Sequence, residues 1–499
     1  MTAAGQELQP GRSHTAFRCM LSCLALAWIL AAVMAGLSAV DAHPDEASHI
    51  AAGRYYVTAW LPPRATEAAL LPSLSPYGYT YLSSVDVSYF LAGKLARLLS
   101  GIFPCEALGF RAFNLLLFLV LIVRYALRRD AYSPLVLLLL TPQIWYVFSY
   151  FNNDGFPLFL ALLLADAVFG SRSRVVDALS APWRASSLGP LVGSGAVIGL
   201  LALTKSNYLP FIGFVVFVGF WRAFGLAAAA IAVASAGPYL AYARGFGSVP
   251  PFVARSSLAL GIVATLAAVA TKTRRSPAIR SLLARAAVVA LAALAVAVPP
   301  LVYDRITNGE ASDKASAMSA LAEKHAAPEY RPSSAAESES FFGLRLRDKG
   351  VAVYELLLEP WDWPVKTWKS FTGYYGYMTI HGPAAYYIVM FALHVLLLSY
   401  TARVVLARGD PAEWQLFAAA GAFGGGIILL SLYHSWINDF QAQGRYLFPV
   451  LALFAIPFTR ASRWFGARVV PALIGATFVL SCSSFLFVGL REIAKAPCW

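Results

Sequence analysis

The sequence predicts an all-α polytopic membrane protein with about thirteen transmembrane helices and two large outer loops that carry interfacial helices. Of its 499 residues, 59% are hydrophobic and 13% are charged, and the mean hydropathy is +0.63, which is too apolar for a soluble globular protein. A bilayer span needs roughly 20 apolar residues, and such stretches recur from Met20 to Gly489. A third observation is that arginine and lysine lie in short clusters between these stretches.

The basic clusters predict which side of the membrane each loop occupies. Every strongly basic short loop falls on the same side, as the positive-inside rule requires. The net charge of +13 is therefore explained by basic residues that set the orientation of the spans, and it does not indicate a nucleic-acid partner. The predicted regions are a cytoplasmic amino terminus (1–19), a transmembrane core (20–303) with the first outer loop (41–105), a second outer loop (304–381), carboxyl-terminal transmembrane helices (382–490) and an outer tail (491–499).

The two outer loops differ in composition. The first contains an amphipathic stretch, Val85 to Leu99, of a kind that lies along the membrane interface. The first half of the second loop mixes both charge signs and is expected to be flexible. Its second half is rich in tryptophan and tyrosine, which prefer the headgroup level, so it is expected on the outer membrane surface. Cys105 and Cys498 are the two cysteines that could face outward, but the sequence does not place them together.

Titratable residues cluster where the first predicted span ends. Residues 41–49 read Asp-Ala-His-Pro-Asp-Glu-Ala-Ser-His. If a helix begins after Pro44, then Asp45 and His49 lie one turn apart with Glu46 beside them. A carboxylate here could accept a proton from a hydroxyl or hold a divalent metal. The alternative is that these acids only start a helix; their position just outside a span favours a functional role.

Residues 150–155, Tyr-Phe-Asn-Asn-Asp-Gly, form a second polar group on the predicted outer side. Asparagine, aspartate and glycine are typical of a tight turn between helices. In a functional interpretation, Asn153 and Asp154 would join His49 in holding a second substrate or sharing a metal.

Cationic and hydrogen-bonding residues occur at two further outer positions. Lys205, with Tyr208 nearby, could bind a phosphate, although a lysine at a membrane boundary can also snorkel to the headgroups. Arg445 could hold a phosphate through two hydrogen bonds, with Gln443 and Tyr446 as further partners, although an Arg-Tyr pair can also anchor a helix at the interface. Zinc-ligand spacing, a phosphate-binding glycine loop and a Gly-x-Ser-x-Gly motif do not occur in the sequence.

Five motifs in order along the chain resemble those of the GT-C superfamily of polyprenyl-phosphate-dependent glycosyltransferases. This superfamily includes protein mannosyltransferases and the aminoarabinose transferase of lipid A, and the chain is most similar to a bacterial branch of predicted membrane proteins. The motifs are Pro44-Asp45-Glu46-Ala-Ser-His49, Tyr150-Phe-Asn-Asn-Asp154, Leu203-Thr-Lys205-Ser-Asn-Tyr208-Leu-Pro210, Ser370-Phe-Thr-Gly-Tyr-Tyr-Gly376 and Gln443-Gly-Arg445-Tyr446-Leu-Phe-Pro449.

The resemblance implies a GT-C-like fold and an inverting hexosyl- or pentosyltransferase. Its catalytic acid would be Asp45 or Glu46, and its donor a polyprenyl-phosphate sugar in the outer leaflet. The acceptor would be a cell-envelope glycan or lipid, at the outer face of a bacterial plasma membrane. No covalently bound cofactor is expected, and a divalent metal is allowed but has no support. Unlike in oligosaccharyltransferases, no soluble domain is apparent after the last span, so recognition of a peptide sequon is not expected.

Two other classes of function remain open from the sequence. A transporter or flippase of lipid-linked sugars would bind its substrate near the bilayer midplane and often has inverted repeats, whereas here the polar groups cluster at one surface. An O-antigen polymerase or ligase would use an arginine-rich outer loop, whereas the charges of 304–381 are evenly mixed. The sugar, the acceptor, the anomeric outcome and the oligomeric state do not follow from the sequence.

Overall fold

The chain is an all-α, multi-pass membrane protein, as predicted. The computed structural model describes residues 10–170, 173–180, 185–225, 253, 256–257, 277–334 and 344–493. In these ranges the α-helices are Pro10–Leu37, Glu46–Thr58, Val87–Leu98, Glu106–Arg128, Pro142–Ser149, Gly155–Phe169, Arg174–Ser180, Leu188–Ala202, Leu209–Phe224, Pro277–Asn308, Ala311–His325, Trp363–Gly373, Ala384–Arg408, Pro411–Ile437, Phe448–Ala461, Val469–Ser484 and Arg491–Ile493, the last two joined by the π-helical segment Phe485–Leu490.

Among the described residues, six helices are long and apolar enough to cross a membrane, and three shorter helices are strongly apolar. The six are His14–Leu37, Glu106–Arg128, Ile279–Asn308, Ala384–Arg408, Pro411–Ile437 and Val469–Ile493. The total of about thirteen spans stays a prediction. The predicted seventh and eighth spans, which would meet on the outer side at Arg244 to Arg255, lie almost entirely outside the described residues.

The predicted third span, which precedes the turn at residues 151–155, is not one continuous helix. It consists of a 3-10 helix, Pro134–Leu139, and the short α-helix Pro142–Ser149. A proline begins each piece, because proline lacks the N–H that an uninterrupted helix would use and fits the first helical turn. Every residue of both pieces is buried. The segment therefore forms the centre of the bundle, where it packs against the first two long helices and against Phe448–Ala461.

Close helix packing in the middle of the chain depends on glycine. A Cβ atom on Gly195 would lie 2.3 Å from the Val289 carbonyl oxygen, and one on Gly199 would lie 2.5 Å from that of Ala293. Both glycines lie on Leu188–Ala202, so this helix meets the alanine-rich helix Pro277–Asn308 backbone to backbone, as small residues allow in lipid.

A buried ion pair joins the first outer loop to the bundle. The guanidinium of Arg111, on the second long helix, donates both Nε and Nη2 to the carboxylate of Glu46, at 2.8 and 2.6 Å. Its remaining N–H groups bond to the carbonyl oxygens of Ala35, Ser38 and Ala39 at the end of the first helix. All five donors are thus used. Both side chains of the ion pair are completely buried.

The second outer loop is more regular and more buried than its composition predicts. Residues 311–325, in the half expected to be flexible, form a helix that begins with a capping box between Glu310 and Asp313. Trp361 and Trp363, expected at the headgroups, are buried in a small core with Leu346, Leu356 and Ala442. The indole of Trp363 also donates to Ser435 Oγ at 3.0 Å. The loop is therefore packed onto the outer end of Pro411–Ile437.

Cys105 is disulfide-bonded, whereas Cys19, Cys23 and Cys482 are free. Cys498, the other cysteine predicted to face outward, lies outside the described residues.

The buried ion pair predicts a specific loss of stability. Glu46→Gln leaves the Arg111 charge buried without its counter-charge, and breaking such a pair costs about 3–5 kcal/mol. The matched control is Glu106→Gln, because Glu106 forms an exposed pair with Arg54, with side chains 44% and 60% exposed, and exposed pairs contribute about 0–1 kcal/mol. Thermal unfolding of the purified protein in detergent measures both. Equal shifts in the two variants would contradict this account.

Candidate functional site

The two loops predicted to be outer, together with the adjacent ends of the helices, enclose a cavity of about 800 Å³. Its walls come from residues 44–84 of the first loop, residues 143–150, residues 319–332 and 344–378 of the second loop, and residues 434–445. Its charged and imidazole groups are Asp45, Arg345, His434, Asp439 and Arg445. Its tyrosines are Tyr77, Tyr79, Tyr81, Tyr146, Tyr150, Tyr330, Tyr374 and Tyr377.

Asp45 is the predicted acidic residue that reaches this cavity. It immediately precedes the helix Glu46–Thr58 and has φ 59°, in the left-handed region that non-glycine residues seldom occupy. Its side chain makes no capping hydrogen bond, and 40% of it is exposed. The carboxylate is therefore directed to the cavity and does not serve as a helix cap.

Four side chains of alternating charge connect four segments of the chain. Lys205 Nζ lies 2.6 Å from Asp154 Oδ1, and Asp154 Oδ2 lies 3.5 Å from Arg445 Nη1. Arg445 Nη2 in turn lies 3.9 Å from Asp45 Oδ2. Asp154 is completely buried, whereas Asp45 at the other end is open to the cavity. The structure thus brings together residues that are up to 400 positions apart in the sequence.

The turn that carries Asp154 is fixed by its own asparagines. The Asn152 side-chain oxygen accepts the N–H groups of Asp154 and Gly155, at 2.8 and 3.2 Å. Asn153 donates to Asp86 Oδ2 at 3.0 Å, which links the turn to the first outer loop. Residues 150–155 therefore form both a tight turn and a part of the candidate site, because the turn geometry directs the Asp154 carboxylate at Lys205 and Arg445.

Arg445 is held on several sides but keeps one face toward the cavity. Its Nε donates to Gln443 Oε1 at 2.6 Å, and its Nη1 to the Tyr150 hydroxyl at 3.3 Å. The intervening Gly444 donates its N–H to Ser370 Oγ at 3.1 Å. A Cβ atom on Gly444 would lie 2.2 Å from backbone atoms of Phe371. Glycine therefore allows this segment to lie directly on the helix Trp363–Gly373.

Lys205, Tyr446 and Tyr208 lie behind the wall formed by Arg445. The ammonium of Lys205 is 5.2 Å from the centre of the Tyr446 ring, and the Tyr446 hydroxyl donates to Gln441. Burial lowers the pKa of Lys205, and the nearby Asp154 carboxylate opposes that shift. Tyr208 is completely buried, and its hydroxyl has no hydrogen-bond partner among the described residues.

Two residues of the first predicted motif do not reach the cavity. Glu46 is buried against Arg111 and also accepts the N–H of Phe151 at 2.9 Å. His49 bonds to the Tyr89 hydroxyl at 2.7 Å and stacks on Tyr81. Burial lowers the pKa of His49 well below its ordinary value, and Lys205 and Arg445 add to the shift, so its imidazole is neutral. No group of three or more His, Cys, Asp or Glu residues placed to share a metal occurs in the described part of the chain.

Sequence reasoning missed several residues that build the site. Arg111 carried a usable signal, because an ionisable residue inside an apolar span usually has a buried partner. Asp86 lies in the amphipathic stretch of the first loop, where its charge gave no sign that it would bond to Asn153. Tyr146 lines the cavity, but tyrosines are common at the ends of spans and it carried no distinguishing signal. Tyr150, which also lines the cavity, belongs to the second motif but was given no role of its own.

The chain is only distantly similar to known proteins. No protein-family model and no curated protein matches the chain. Solved structures that match include the archaeal oligosaccharyltransferase AglB from Archaeoglobus fulgidus in complex with an inhibitory peptide and a dolichol-phosphate, and the oligosaccharyltransferase of the same organism in the apo form. Sequence identities are 13% and 14%, and the TM-score is 0.41 in each case. Each match covers 94% of this chain but 56% of the other chain, so the chain spans little more than half the length of these structures.

The close contact at Gly444 predicts that alanine is not tolerated there. In Gly444→Ala the new methyl group would meet backbone atoms of Phe371, which cannot move as a flexible side chain can. Overpacking of this kind costs about 1–3 kcal/mol, so the midpoint of thermal unfolding in detergent should fall.

The matched control is Gly421→Ala, where a Cβ atom would meet nothing within 4 Å. Alanine also favours a helix over glycine, so this variant should be at least as stable as the wild type. If the two variants unfold alike, the contact at Gly444 is not tight.

Proposed function

We propose that the protein is a membrane glycosyltransferase of the GT-C type that transfers a sugar from a polyprenyl-phosphate carrier to a cell-envelope glycan or lipid. The observation that carries the proposal is a partly exposed carboxylate, Asp45, beside a nearly buried guanidinium, Arg445, in a cavity between the two outer loops. The distribution of basic loops supports a position of this cavity on the outer side of the membrane, and we propose that this membrane is a bacterial plasma membrane.

Asp45 has the position of a general base. In the proposed reaction, the acceptor hydroxyl attacks the anomeric carbon of the donor while Asp45 takes the hydroxyl proton. A bond forms between the acceptor oxygen and the anomeric carbon, and the bond from that carbon to the phosphate oxygen breaks. The electron pair leaves with the phosphate. A single displacement of this kind inverts the anomeric carbon.

Of the two acids in the first motif, the geometry favours Asp45 over Glu46. A base must come within hydrogen-bonding reach of the proton that it removes. The Glu46 carboxylate has no exposed surface and already accepts hydrogen bonds from Arg111 and Phe151. We assign Glu46 to holding the first loop in place.

Arg445 is the group best placed to receive the phosphate. Its distance of 3.9 Å from Asp45 exceeds a hydrogen bond, so the Nη2 that faces Asp45 retains a donor for a ligand. A guanidinium donor in a partly buried site stabilises an oxyanion more strongly than it would in water. Lys205 lies behind Arg445, paired with Asp154, and adds positive potential to the site. Gln443 holds the Arg445 guanidinium in place through a hydrogen bond.

The tyrosines of the cavity suit a sugar. Each offers an apolar ring face and a hydroxyl, which match the two kinds of surface on a sugar ring. The cavity volume of about 800 Å³ lies within the range of small-molecule sites, and its walls come from both outer loops, so donor and acceptor could enter from different sides.

The proposal predicts that Asp45→Asn abolishes modification of the envelope glycan. The asparagine keeps the size of the side chain and tolerates the left-handed backbone, but it cannot accept the proton. Loss of a general base costs about 10²–10⁴-fold in rate. Mass analysis of envelope glycans, compared with cells lacking the protein, measures the effect and identifies the transferred sugar.

The matched control is Asp348→Asn, because Asp348 is an outer-loop aspartate of similar exposure, 41%, that pairs with Arg347 at the surface. Both variants should insert at normal abundance, and only Asp45→Asn should lose the modification. Intact glycans in Asp45→Asn would refute the proposal. Purified protein that binds the lipid-linked donor without converting it would indicate a transporter.

A further inference from the structure

His43 is buried beside the cavity in a complete chain of hydrogen bonds. Ser38 Oγ donates to the Met34 carbonyl oxygen at 2.7 Å, and His43 Nε2 lies 2.7 Å from Ser38 Oγ. On the other side of the ring, His43 Nδ1 lies 3.0 Å from the Tyr146 hydroxyl. That hydroxyl also accepts the N–H of Gly376 at 3.0 Å.

These partners assign the proton positions. Because the Ser38 hydroxyl gives its proton to Met34, its oxygen accepts from His43 Nε2–H. The opposite nitrogen, Nδ1, then carries no proton and accepts from the Tyr146 hydroxyl. Burial lowers the pKa of His43 well below its ordinary value, and the charge of Arg111 adds to the shift. The imidazole is therefore neutral, as this tautomer requires.

The same ring supports a second cavity tyrosine. His43 stacks on Tyr150, with ring centres 4.7 Å apart and planes inclined by 9°. The Tyr150 hydroxyl accepts from Arg445 Nη1. Both tyrosines line the cavity. His43 itself is completely buried and does not line it.

We propose that His43 is a positioning residue of the site: its imidazole orients Tyr146 by a hydrogen bond and Tyr150 by stacking, and Tyr150 holds Arg445 in place for the donor phosphate. The last step rests on the proposed function of Arg445. The ring also joins the two outer loops, because Tyr146 accepts from Gly376 in the second loop while His43 belongs to the first.

Binding of undecaprenyl phosphate without a sugar to the purified protein in detergent tests this inference. His43→Leu removes both the hydrogen bond and the stacking at similar volume, so the Kd should rise about tenfold. His43→Phe restores the stacking alone, and its Kd should lie between those of the wild type and His43→Leu. On an Arg445→Met background, where the phosphate contact is gone, His43→Leu should change the Kd by less than about twofold.

The control for a merely structural role is Tyr375→Phe. Tyr375 is equally buried, its hydroxyl bonds to Ser484 Oγ at 3.1 Å, and its ring packs against Tyr146. Both Tyr375→Phe and His43→Leu should lower the midpoint of thermal unfolding, but only His43→Leu should raise the Kd.

Three outcomes would overturn the inference, and they differ in what they mean for the proposed function. If Arg445→Met weakens binding but His43→Leu does not, or if Tyr375→Phe weakens it as much as His43→Leu, His43 has no positioning role and the proposed function stands. If Arg445→Met also leaves binding unchanged, the donor-phosphate role of Arg445 fails, and the inference fails with it.

Discussion

The buried ion pair between Glu46 and Arg111 is the interaction on which the arrangement around the cavity depends. Its five hydrogen bonds close the end of the first helix, fix the start of the first-loop helix and tie both to the second long helix. The same carboxylate accepts the N–H of Phe151 and so sets the start of the turn that carries Asp154. A fully satisfied buried network of this kind specifies one arrangement, because every alternative leaves a charge unpaired.

Under the proposed function, the adjacent acids Asp45 and Glu46 divide two tasks that one side chain could not combine. A carboxylate that anchors a loop must be buried and fully bonded, whereas a proton acceptor must stay open to its substrate. The backbone separates them, since Asp45 precedes the helix and Glu46 opens its first turn on the bundle side. The rigid anchor at Glu46 therefore fixes the position of Asp45, the base of the proposed reaction.

The sequence was sufficient for the class of fold, because the length of apolar stretches reports directly on a bilayer. The outer location of the motifs stays a prediction from the basic loops. The sequence could not distinguish Asp45 from Glu46, since the difference comes from Arg111, 65 positions further along the chain. It also placed Trp361 and Trp363 at the headgroups, because composition records an affinity for interfaces and not the protein core that can bury the same rings. The broken third span was missed in the same way: Pro134 and Pro142 are visible, but what they pack against is not.

The left-handed backbone at Asp45 restricts which residues evolution can exchange there. Aspartate, asparagine and glycine adopt positive φ more readily than longer or β-branched side chains. Glutamate, which is chemically the nearest replacement, would carry both a backbone penalty and an extra methylene into the space beside Arg445. A protein that keeps this backbone should therefore have aspartate, asparagine or glycine at position 45. Under the proposed function only the aspartate would be active, and its replacement by asparagine or glycine would leave the fold intact.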